Sequence, residues 1–294
     1  MAREPYGRAG RDAVTTVLAG SAALIVGCMA GLWLLSLRLR DASIADVFWG
    51  AGFALVGLVA LCLSPPSPRG VLLVALATAW GGRLALHLAA RRRGQEEDRR
   101  YRSMRAAWGR RFPAVSLFTV FLLQGALMWV VSLPLQVGVA SGATAPPGLL
   151  DVAGLVLFGV GLAFEAVGDA QLARFLADPA SAGQVMQTGL WRYTRHPNYF
   201  GDALVWWGLG LVATSAGPAW LLAGPALMTF LLLRVSGVTL LEKDIGGRRP
   251  GYAEYAARTS AFLPLPPRSR GRRPTGRCSP STGRRSSWRR RCGR

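Results

Sequence analysis

The sequence predicts an all-α fold, a polytopic membrane bundle of about seven transmembrane helices. Its 294 residues are 51% hydrophobic, and the apolar residues come in long blocks rather than at the spacing of a soluble core. A helix needs about 20 largely apolar residues to cross a bilayer, and blocks of this kind recur along the chain. Closed β-barrels also cross membranes, but these blocks lack the alternation of barrel strands.

The blocks divide the chain into seven predicted spans. In order they are 13–37, 44–63, 71–90, 114–133, 149–168, 203–216 and 219–235. The sixth is short and is separated from the seventh by a Gly-Pro pair at 217–218, so these two could also form one broken helix. Proline-rich turns at 64–70 and 145–148 precede the third and fifth spans. Residues 1–12 are polar and are predicted to be mobile.

The net charge of +20 is concentrated at the C-terminus. Residues 268–294 contain eleven arginines and no acidic residue. Such a segment cannot bury enough apolar surface to offset its ordering entropy, so we predict a disordered tail. Basic segments favour nucleic acid or an anionic membrane surface. With this many spans the lipid bilayer is the expected partner, and no nucleic acid is expected.

Arginine placement predicts the orientation. The segment 91–111 carries nine arginines, whereas 134–148 and 216–219 carry no Lys or Arg. Positive loops remain in the cytoplasm, so the first segment is predicted inside, the other two outside and the C-terminus cytoplasmic. The four cysteines show no CxxC or Cys/His metal spacing, and the sequence predicts neither a metal site nor a disulfide framework.

Several charged residues lie within or beside the spans. Asp46 at the edge of the second span marks a site or caps its helix. Arg83 lies inside the third span and must face the bundle interior or reach the interface. Glu165 and Asp169 share one face of a helix, where like charges repel unless a cation or donor lies between them. We expect Arg174, Arg192 or Arg195 to supply it.

The densest polar run is 189–202, directly before the sixth span. It holds two arginines, a histidine, an asparagine, an aspartate and two tyrosines. His196, which precedes a proline, could shape the loop or act as an acid or base. Arginine forks suit phosphate oxygens, while carboxylates and amides suit ribose hydroxyls or a carboxamide. This pattern indicates the polar half of a nucleotide-cofactor site beside a cavity for a hydrophobic substrate.

The remaining members of this predicted site lie on both sides of the run. The whole set is Glu165, Asp169, Arg174, Arg192, Arg195, His196, Asn198, Tyr199, Asp202, Glu242, Tyr252 and Tyr255. A Gly-rich dinucleotide fingerprint after a strand and a phosphate-binding P-loop are both absent from the sequence. We therefore expect helix ends and loops to hold the cofactor.

The chain from about 40 to 267 resembles the membrane steroid 5-alpha reductase superfamily, and in particular a bacterial branch described only as a domain of unknown function. In the C-terminal half the likeness rests on Phe164, Glu165, Asp169 and Gln171, the run 189–202, 206–208, 236–238, 241–243, Tyr252, Tyr255, Thr259, Ser260 and Phe262. In the N-terminal half it rests on Asp46, Trp49, Gly50, Trp80, Arg83, Asp98, Arg100 and Tyr101.

The resemblance implies a seven-helix oxidoreductase of a bacterial inner membrane that uses NADPH to reduce the carbon–carbon double bond of a hydrophobic enone. Residues 13–267 would form the reductase-like domain, with cofactor binding in 149–267. By position, Asp169, Asn198 and Asp202 would contact the cofactor. Arg174 and Arg195 would lie near phosphate, and Tyr252 and Tyr255 would close the pocket.

The sequence departs from the steroid enzymes at the proton donor. Their acid–tyrosine pair has no clear counterpart here, and we assign Asp46 and Tyr101 in its place. Arg83 and Gln124 are the expected supporting groups, since an enone oxygen gains negative charge and needs a proton donor.

Two alternatives stay open. Arg195, His196, Pro197 and Tyr199, with Glu242 downstream, are also similar to isoprenylcysteine carboxyl methyltransferases, which use S-adenosylmethionine. Those enzymes usually carry paired glutamates where this chain has a Glu-Lys pair at 242–243. The third class is a non-catalytic membrane protein whose charges only seal helix ends at the interface.

Overall fold

The structure, a computed structural model, describes residues 8–144, 146–235, 238, 242 and 249–268. Within these ranges the chain is helical, and its one β-type pairing is a parallel bridge between Thr194 and Ser260. The all-α prediction is confirmed. The segments 1–7 and 269–294 lie outside the described residues, and the predicted disordered tail falls almost wholly there.

The α-helices are α1 (Arg8–Leu39), α2 (Ile44–Cys62), α3 (Pro68–Arg92), α4 (Arg99–Trp108), α5 (Phe112–Ser116), α6 (Leu123–Val131), α7 (Leu133–Ala140), α8 (Leu149–Ala177), α9 (Pro197–Thr214), α10 (Ala223–Phe230) and α11 (Tyr252–Arg258). π-helical turns at Leu117–Leu122 and Leu231–Val235 follow α5 and α10. Helix α1 begins at Arg8, inside the segment 1–12 that the sequence predicts to be mobile.

Five helical stretches are long and apolar enough to cross a bilayer: Gly10–Leu39, Ile44–Cys62, Pro68–Arg92, Arg99–Val131 and Leu149–Ala177. They correspond to the first five predicted spans and indicate a multi-pass membrane protein. The last two predicted spans are also helical, as α9 and as Ala219–Val235, but they do not reach the same length and hydropathy. Seven spans therefore stays a prediction.

Glycines hold α8 and α9 together at backbone contact. A Cβ added to Gly161 would lie 2.6 Å from the carbonyl oxygen of Gly201, and one added to Gly208 would lie 2.6 Å from that of Gly154. Any side chain at these positions would force the helices apart, because the obstacle is backbone. The close approach brings the acids near the end of α8 against the polar start of α9.

The α2–α3 pair is equally close. A Cβ on Gly81 would lie 2.2 Å from the carbonyl oxygen of Gly50. Three buried rings then join this pair to α9: the centroid of Phe53 lies 4.5 Å from that of Trp206, and Trp80 lies 5.5 Å from Trp206. Together with the α8–α9 contact, these contacts place α2, α3, α8 and α9 around one polar region.

A buried ion pair lies at the opposite end of the bundle. Arg69 Nε and Nη2 donate to the two Asp151 oxygens at 3.0 and 3.1 Å, and Ser215 Oγ donates to Asp151 Oδ1 at 2.8 Å. The arginine and the aspartate are 7% and 3% exposed. This clamp joins the starts of α3 and α8 to the end of α9, so α9 runs antiparallel to α8.

The arginine-rich end of the bundle is tied across two connections. Arg92 at the end of α3 pairs with Asp41 before α2 at 3.0 Å, and Glu97 accepts from the backbone amide of Ala42 at 2.8 Å. The Asp98 amide also donates to Ser43 Oγ at 2.8 Å. The α1–α2 and α3–α4 connections therefore lie on one side of the bundle.

Candidate active site

An acid, a phenol and an amide form one hydrogen-bonded group between α2 and the Arg99–Val131 stretch. The Tyr101 hydroxyl donates to Asp46 Oδ1 at 2.7 Å, and the Gln124 amide donates to the Tyr101 hydroxyl at 3.1 Å. Arg100 Nη2 pairs with Asp46 Oδ2 at 2.8 Å. Tyr101 is buried, whereas the Arg100 side chain is 45% exposed. We call this set the acid–phenol group.

A second polar group lies where α3 meets α8. Arg83 bridges the two acids of α8, donating through Nη1 to Asp169 Oδ2 at 2.9 Å and through Nη2 to Glu165. Trp80, one turn earlier, donates its Nε1 to Glu165 Oε2 at 2.7 Å. His87 Nε2 lies 3.7 Å from Asp169 Oδ2. The like-charged pair is thus stabilised by a cation from another helix.

The start of α9 adds an amide and a third carboxylate. Asn198 Nδ2 donates to Asp169 Oδ1 at 3.3 Å, and Asp202 is buried one turn further on. The three carboxylates of this acid cluster, Glu165, Asp169 and Asp202, face one arginine, Arg83. Because buried charges are rarely left uncompensated, the excess of acid favours a cationic or hydrogen-bonding partner there.

Three buried polar atoms at this cluster lack a hydrogen-bond partner among the described residues. They are Asp202 Oδ1, Arg83 Nε and Trp206 Nε1. Asp202 and Trp206 are four residues apart and therefore share one face of α9. An unpaired buried polar atom costs about 1–3 kcal/mol, so one acceptor and two donors in this region indicate a site for a polar ligand or water.

The acid–phenol group and the acid cluster belong to one region. The charges of Arg100, from the first group, and of Asp169 and Asp202, from the second, all act on the Tyr199 hydroxyl. The Trp49 ring contacts Phe53 edge to face, with centroids 5.2 Å apart. Through Phe53 the aromatic core continues to the tryptophans of the acid cluster.

Arg195 is occupied by protein acceptors. Its Nε and Nη2 donate to the Glu242 carboxylate at 2.7 and 2.9 Å, and its Nη1 donates to the carbonyls of Ala256 and Thr259 at 2.8 and 2.6 Å. Its role here is to anchor the C-terminal segment to the start of α9. A phosphate near Arg195 would have to displace or share these contacts.

His196 belongs to the same anchor. Its Nε2 lies 3.2 Å from Glu242 Oε1, and its ring stacks on Tyr199 with centroids 5.4 Å apart. The backbone of His196 also precedes α9 as its N-cap residue. Of the two roles left open by the sequence, this geometry favours loop shaping.

Tyr252 and Tyr255 pack on each other, with ring centroids 6.0 Å apart. The Tyr255 hydroxyl donates to the carbonyl of Trp191, whose Nε1 donates in turn to the carbonyl of Gly168 at 3.1 Å. Burial and then the negative charge of Glu242 raise the pKa of Tyr252 to about 12. Both tyrosines thus fasten α11 to the loop after α8 as neutral phenols.

The Arg195–Glu242 anchor makes stability depend on pH. Burial alone would raise the pKa of Glu242, but hydrogen bonds from His196 and Arg195 outweigh it and lower the pKa from 4.5 to about 2. A carboxyl whose folded pKa is depressed stabilises the fold above its unfolded pKa. That contribution is lost as the pH falls from 4.5 towards 2.

We therefore expect Glu242→Gln to remove a pH-dependent part of the stability. At neutral pH the variant should lose about 2 kcal/mol, allowing for the 24% exposure of the carboxylate. Thermal unfolding in detergent at a series of pH values checks this. The wild-type midpoint should fall more steeply than that of the variant below about pH 5, and parallel curves would contradict the anchor.

The structure corrects two expectations about cations. The arginine between Glu165 and Asp169 is Arg83, so the expectation of Arg174, Arg192 or Arg195 was wrong. Arg83 therefore lies with the acid cluster and not in the acid–phenol group that it was expected to support. The expectation failed because sequence separation says little about which helices meet, and the α8–α3 contact is long-range.

The other predicted site residues divide between the groups. Asp46, Tyr101 and Gln124 come together, as do Asp169, Asn198 and Asp202. Arg174 is exposed on the last turn of α8.

Trp80 and Trp206 were not among the site residues predicted from the sequence. A signal was present for both, because Trp80 lies one turn before Arg83 and Trp206 one turn after Asp202.

The fold and this region define a multi-pass helical membrane protein with a buried, acid-rich polar site at the arginine-rich end. The chain belongs to the family described as "Protein of unknown function (DUF1295)", which matches residues 32–259. The resemblance to the branch described as a domain of unknown function is thereby confirmed. Membership of the steroid 5-alpha reductase superfamily stays a prediction.

The chain is also similar to a fungal protein. It is 25% identical to the uncharacterized protein C594.04c of Schizosaccharomyces pombe over 268 residues, which cover 79% of this chain and 75% of that protein. No solved structure matches the chain.

Proposed function

We propose that the protein is an integral membrane oxidoreductase that reduces the carbon–carbon double bond of a hydrophobic, steroid-like or other lipid enone with NADPH. The observation that carries the proposal is the pairing of two unlike groups at one end of the bundle. The acid–phenol group is equipped to deliver a proton. The acid cluster beside it is suited to a polar, electron-poor ligand.

The unpaired atoms of the acid cluster test whether a nicotinamide fits. A carboxamide offers both N–H donors and a carbonyl acceptor. Among the described residues, Asp202 Oδ1 is an unpaired acceptor, while Arg83 Nε and Trp206 Nε1 are unpaired donors. The donors and the acceptor of a carboxamide are therefore complementary to the unpaired atoms of the acid cluster. Asn198 and Asp169 are the nearby groups for the ribose hydroxyls. The residues present therefore fit this cofactor.

When bound, NADPH supplies the hydride, which forms a new C–H bond at the β-carbon and drives the π electrons of the enone onto its oxygen. Tyr101 is the group placed to protonate that oxygen, and its O–H bond breaks as the new one forms. Gln124 donates to the Tyr101 oxygen and stabilises the charge left on it. Asp46, which accepts from the Tyr101 hydroxyl and pairs with Arg100, orients the phenol, and solvent at the exposed edge near Arg100 returns the proton to Tyr101.

The acid cluster contributes by its charge. Glu165, Asp169 and Asp202 would hold the nicotinamide end, and their carboxyl groups, which face one arginine, would favour positive charge on that ring. Glu165 and Asp169 are held in place by Arg83 and Trp80, so these side chains need little rearrangement during the reaction. A sulfonium group would also be attracted to this cluster, which keeps S-adenosylmethionine as the competing ligand in the test.

Thermal stabilisation separates these ligands, because a ligand that binds only the folded state raises the unfolding midpoint. We expect the detergent-purified protein to be stabilised by NADPH, and Asn198→Ala with Asp202→Ala to lose most of that shift. Leu150→Ala, at an exposed position on α8 away from the cluster, is the matched control. Stabilisation by S-adenosylmethionine alone would overturn the reductase proposal. No response to any of these ligands would favour a non-catalytic protein.

A further inference from the structure

A second polar site lies beside the loop that leads into α9. A cleft of about 580 Å³ opens between the loop after α8 and the segment after α11. Among the residues that line it are Arg192, Arg258, Arg268, Thr188, Thr259 and Gly189. This volume falls in the range of small-molecule sites, and the cleft contains none of the residues of the acid cluster.

The described residues give the cleft an excess of positive charge. Those that line it include three arginines and no acid. Glu254 lines an adjoining cleft together with Arg258, and counting it leaves an excess of two positive charges. Among the described residues, the Arg258 Nε is buried without a hydrogen-bond partner. A buried guanidinium nitrogen without an acceptor in a basic cleft indicates an anionic ligand.

The polar groups of the cleft suit phosphate. Arginine forks bind phosphate oxygens through two parallel hydrogen bonds, and the hydroxyls of Thr188 and Thr259 are further donors. Gly189 has a φ of +59°, and a Cβ there would lie 2.5 Å from the Gln171 amide. Glycine thus allows the backbone turn that forms this wall of the cleft.

We propose that this cleft binds a phosphate monoester, and that its occupant is the 2′-phosphate of the dinucleotide. The assignment rests on the proposed function for the dinucleotide itself. A monoester carries a charge of about −1.5 to −2 at neutral pH, which matches the excess of two positive charges, whereas a diester carries one. Arg195 cannot take this role without breaking its contacts with Glu242, while Arg258 Nε in the cleft has no acceptor among the described residues.

The cleft is connected to the acid cluster through Trp191 and Tyr255. Tyr255 lines the cleft and donates to the Trp191 carbonyl, and Trp191 Nε1 donates to the carbonyl of Gly168, the residue before Asp169. These two hydrogen bonds place one wall of the cleft next to the end of α8 that carries the acid cluster, so one extended dinucleotide is the ligand that would engage both sites.

The consequence is a preference for NADPH over NADH that depends on the cleft. In the purified full-length protein we expect NADPH to bind about 10- to 100-fold more tightly than NADH. The reason is that its 2′-phosphate makes charge-assisted hydrogen bonds in the cleft that NADH lacks. Arg192→Gln with Arg258→Gln should bring the ratio close to one by weakening NADPH, while the affinity for NADH stays unchanged. The control pair Arg110→Gln with Arg111→Gln removes the same charge from an exposed turn and should leave the ratio unchanged.

Adenosine 2′,5′-bisphosphate tests the cleft without relying on the reductase proposal. It should stabilise the wild type and the control pair but not the cleft variant, and this result would support the cleft even if neither dinucleotide bound. A lipid headgroup is the other source of a phosphate monoester, and nanodiscs with and without phosphatidic acid distinguish it. Stabilisation by phosphatidic acid alone, or a NADPH to NADH ratio that the cleft variant leaves unchanged, would overturn the assignment.

Discussion

Tyr101→Phe is expected to lower the turnover of an enone substrate by about 10²- to 10⁴-fold, the range for loss of a positioned proton donor. The variant keeps the ring in its buried position and removes only the hydroxyl that joins Asp46 to Gln124. Binding of NADPH should not change, since the hydroxyl is not part of the acid cluster. Turnover of NADPH against a panel of hydrophobic enones, with thermal stabilisation in parallel, measures both effects.

The acid–phenol group should act as one unit. Asp46→Asn alone should cost about as much as Tyr101→Phe, and the double variant should cost little more, because residues that act together are not additive. Tyr193→Phe is the matched control, since Tyr193 is 43% exposed and lies outside this group. Full turnover in Tyr101→Phe, with NADPH binding intact, would remove Tyr101 from the role of proton donor.

Arg69→Met is expected to destabilise the protein by about 3–5 kcal/mol, because it leaves the buried Asp151 carboxylate without its charge partner. About 27 Å of helix separates Asp151 from Asp169 on α8, so the effect should fall on stability and not on the chemistry of the distant site. Unfolding of the detergent-solubilised variant, compared with Arg38→Met at an exposed position, measures the loss.

The double variant Arg69→Met with Asp151→Leu sharpens this prediction. Removing both charges replaces an ion pair by apolar groups of similar size, which is often close to neutral. Most of the stability lost in Arg69→Met should therefore return, although Ser215 loses its acceptor. Equal unfolding midpoints for Arg69→Met and Arg38→Met would show that the clamp does not hold α3, α8 and α9 together.

The two halves of the candidate site were not equally accessible from the sequence. The polar run that ends in the first turns of α9 identified Asn198 and Asp202, because a carboxylate next to an apolar span is conspicuous in a sequence. Arg83 was also conspicuous as a charge within a span. Its partners were not, because 82 residues separate it from Glu165 and nothing local indicates that the Arg83 side chain reaches the acids of α8.

For Arg195 the sequence predicted a contact with a ligand, whereas the structure shows contacts within the protein. An arginine in a polar loop suggests a phosphate ligand, and its residue type supports that expectation. In the folded chain its donors face Glu242 and two carbonyls, so its hydrogen-bonding capacity is already used. In the cleft, by contrast, Arg258 was not among the predicted site residues, yet its Nε has no acceptor among the described residues.

The sequence by itself determined the class of molecule: apolar helices long enough for a bilayer, a strong arginine bias, and acids at the helix ends. Helix length, hydropathy and charge placement are local properties, so each segment carries them without reference to its neighbours. The tertiary structure alone decided which charge meets which. Glycine contacts pack α2 on α3 and α8 on α9, and in the folded chain Arg83 lies between two acids, Tyr101 donates to Asp46 and Arg69 pairs with Asp151. Those pairings depend on how helices far apart in the chain approach one another, and no local pattern encodes that.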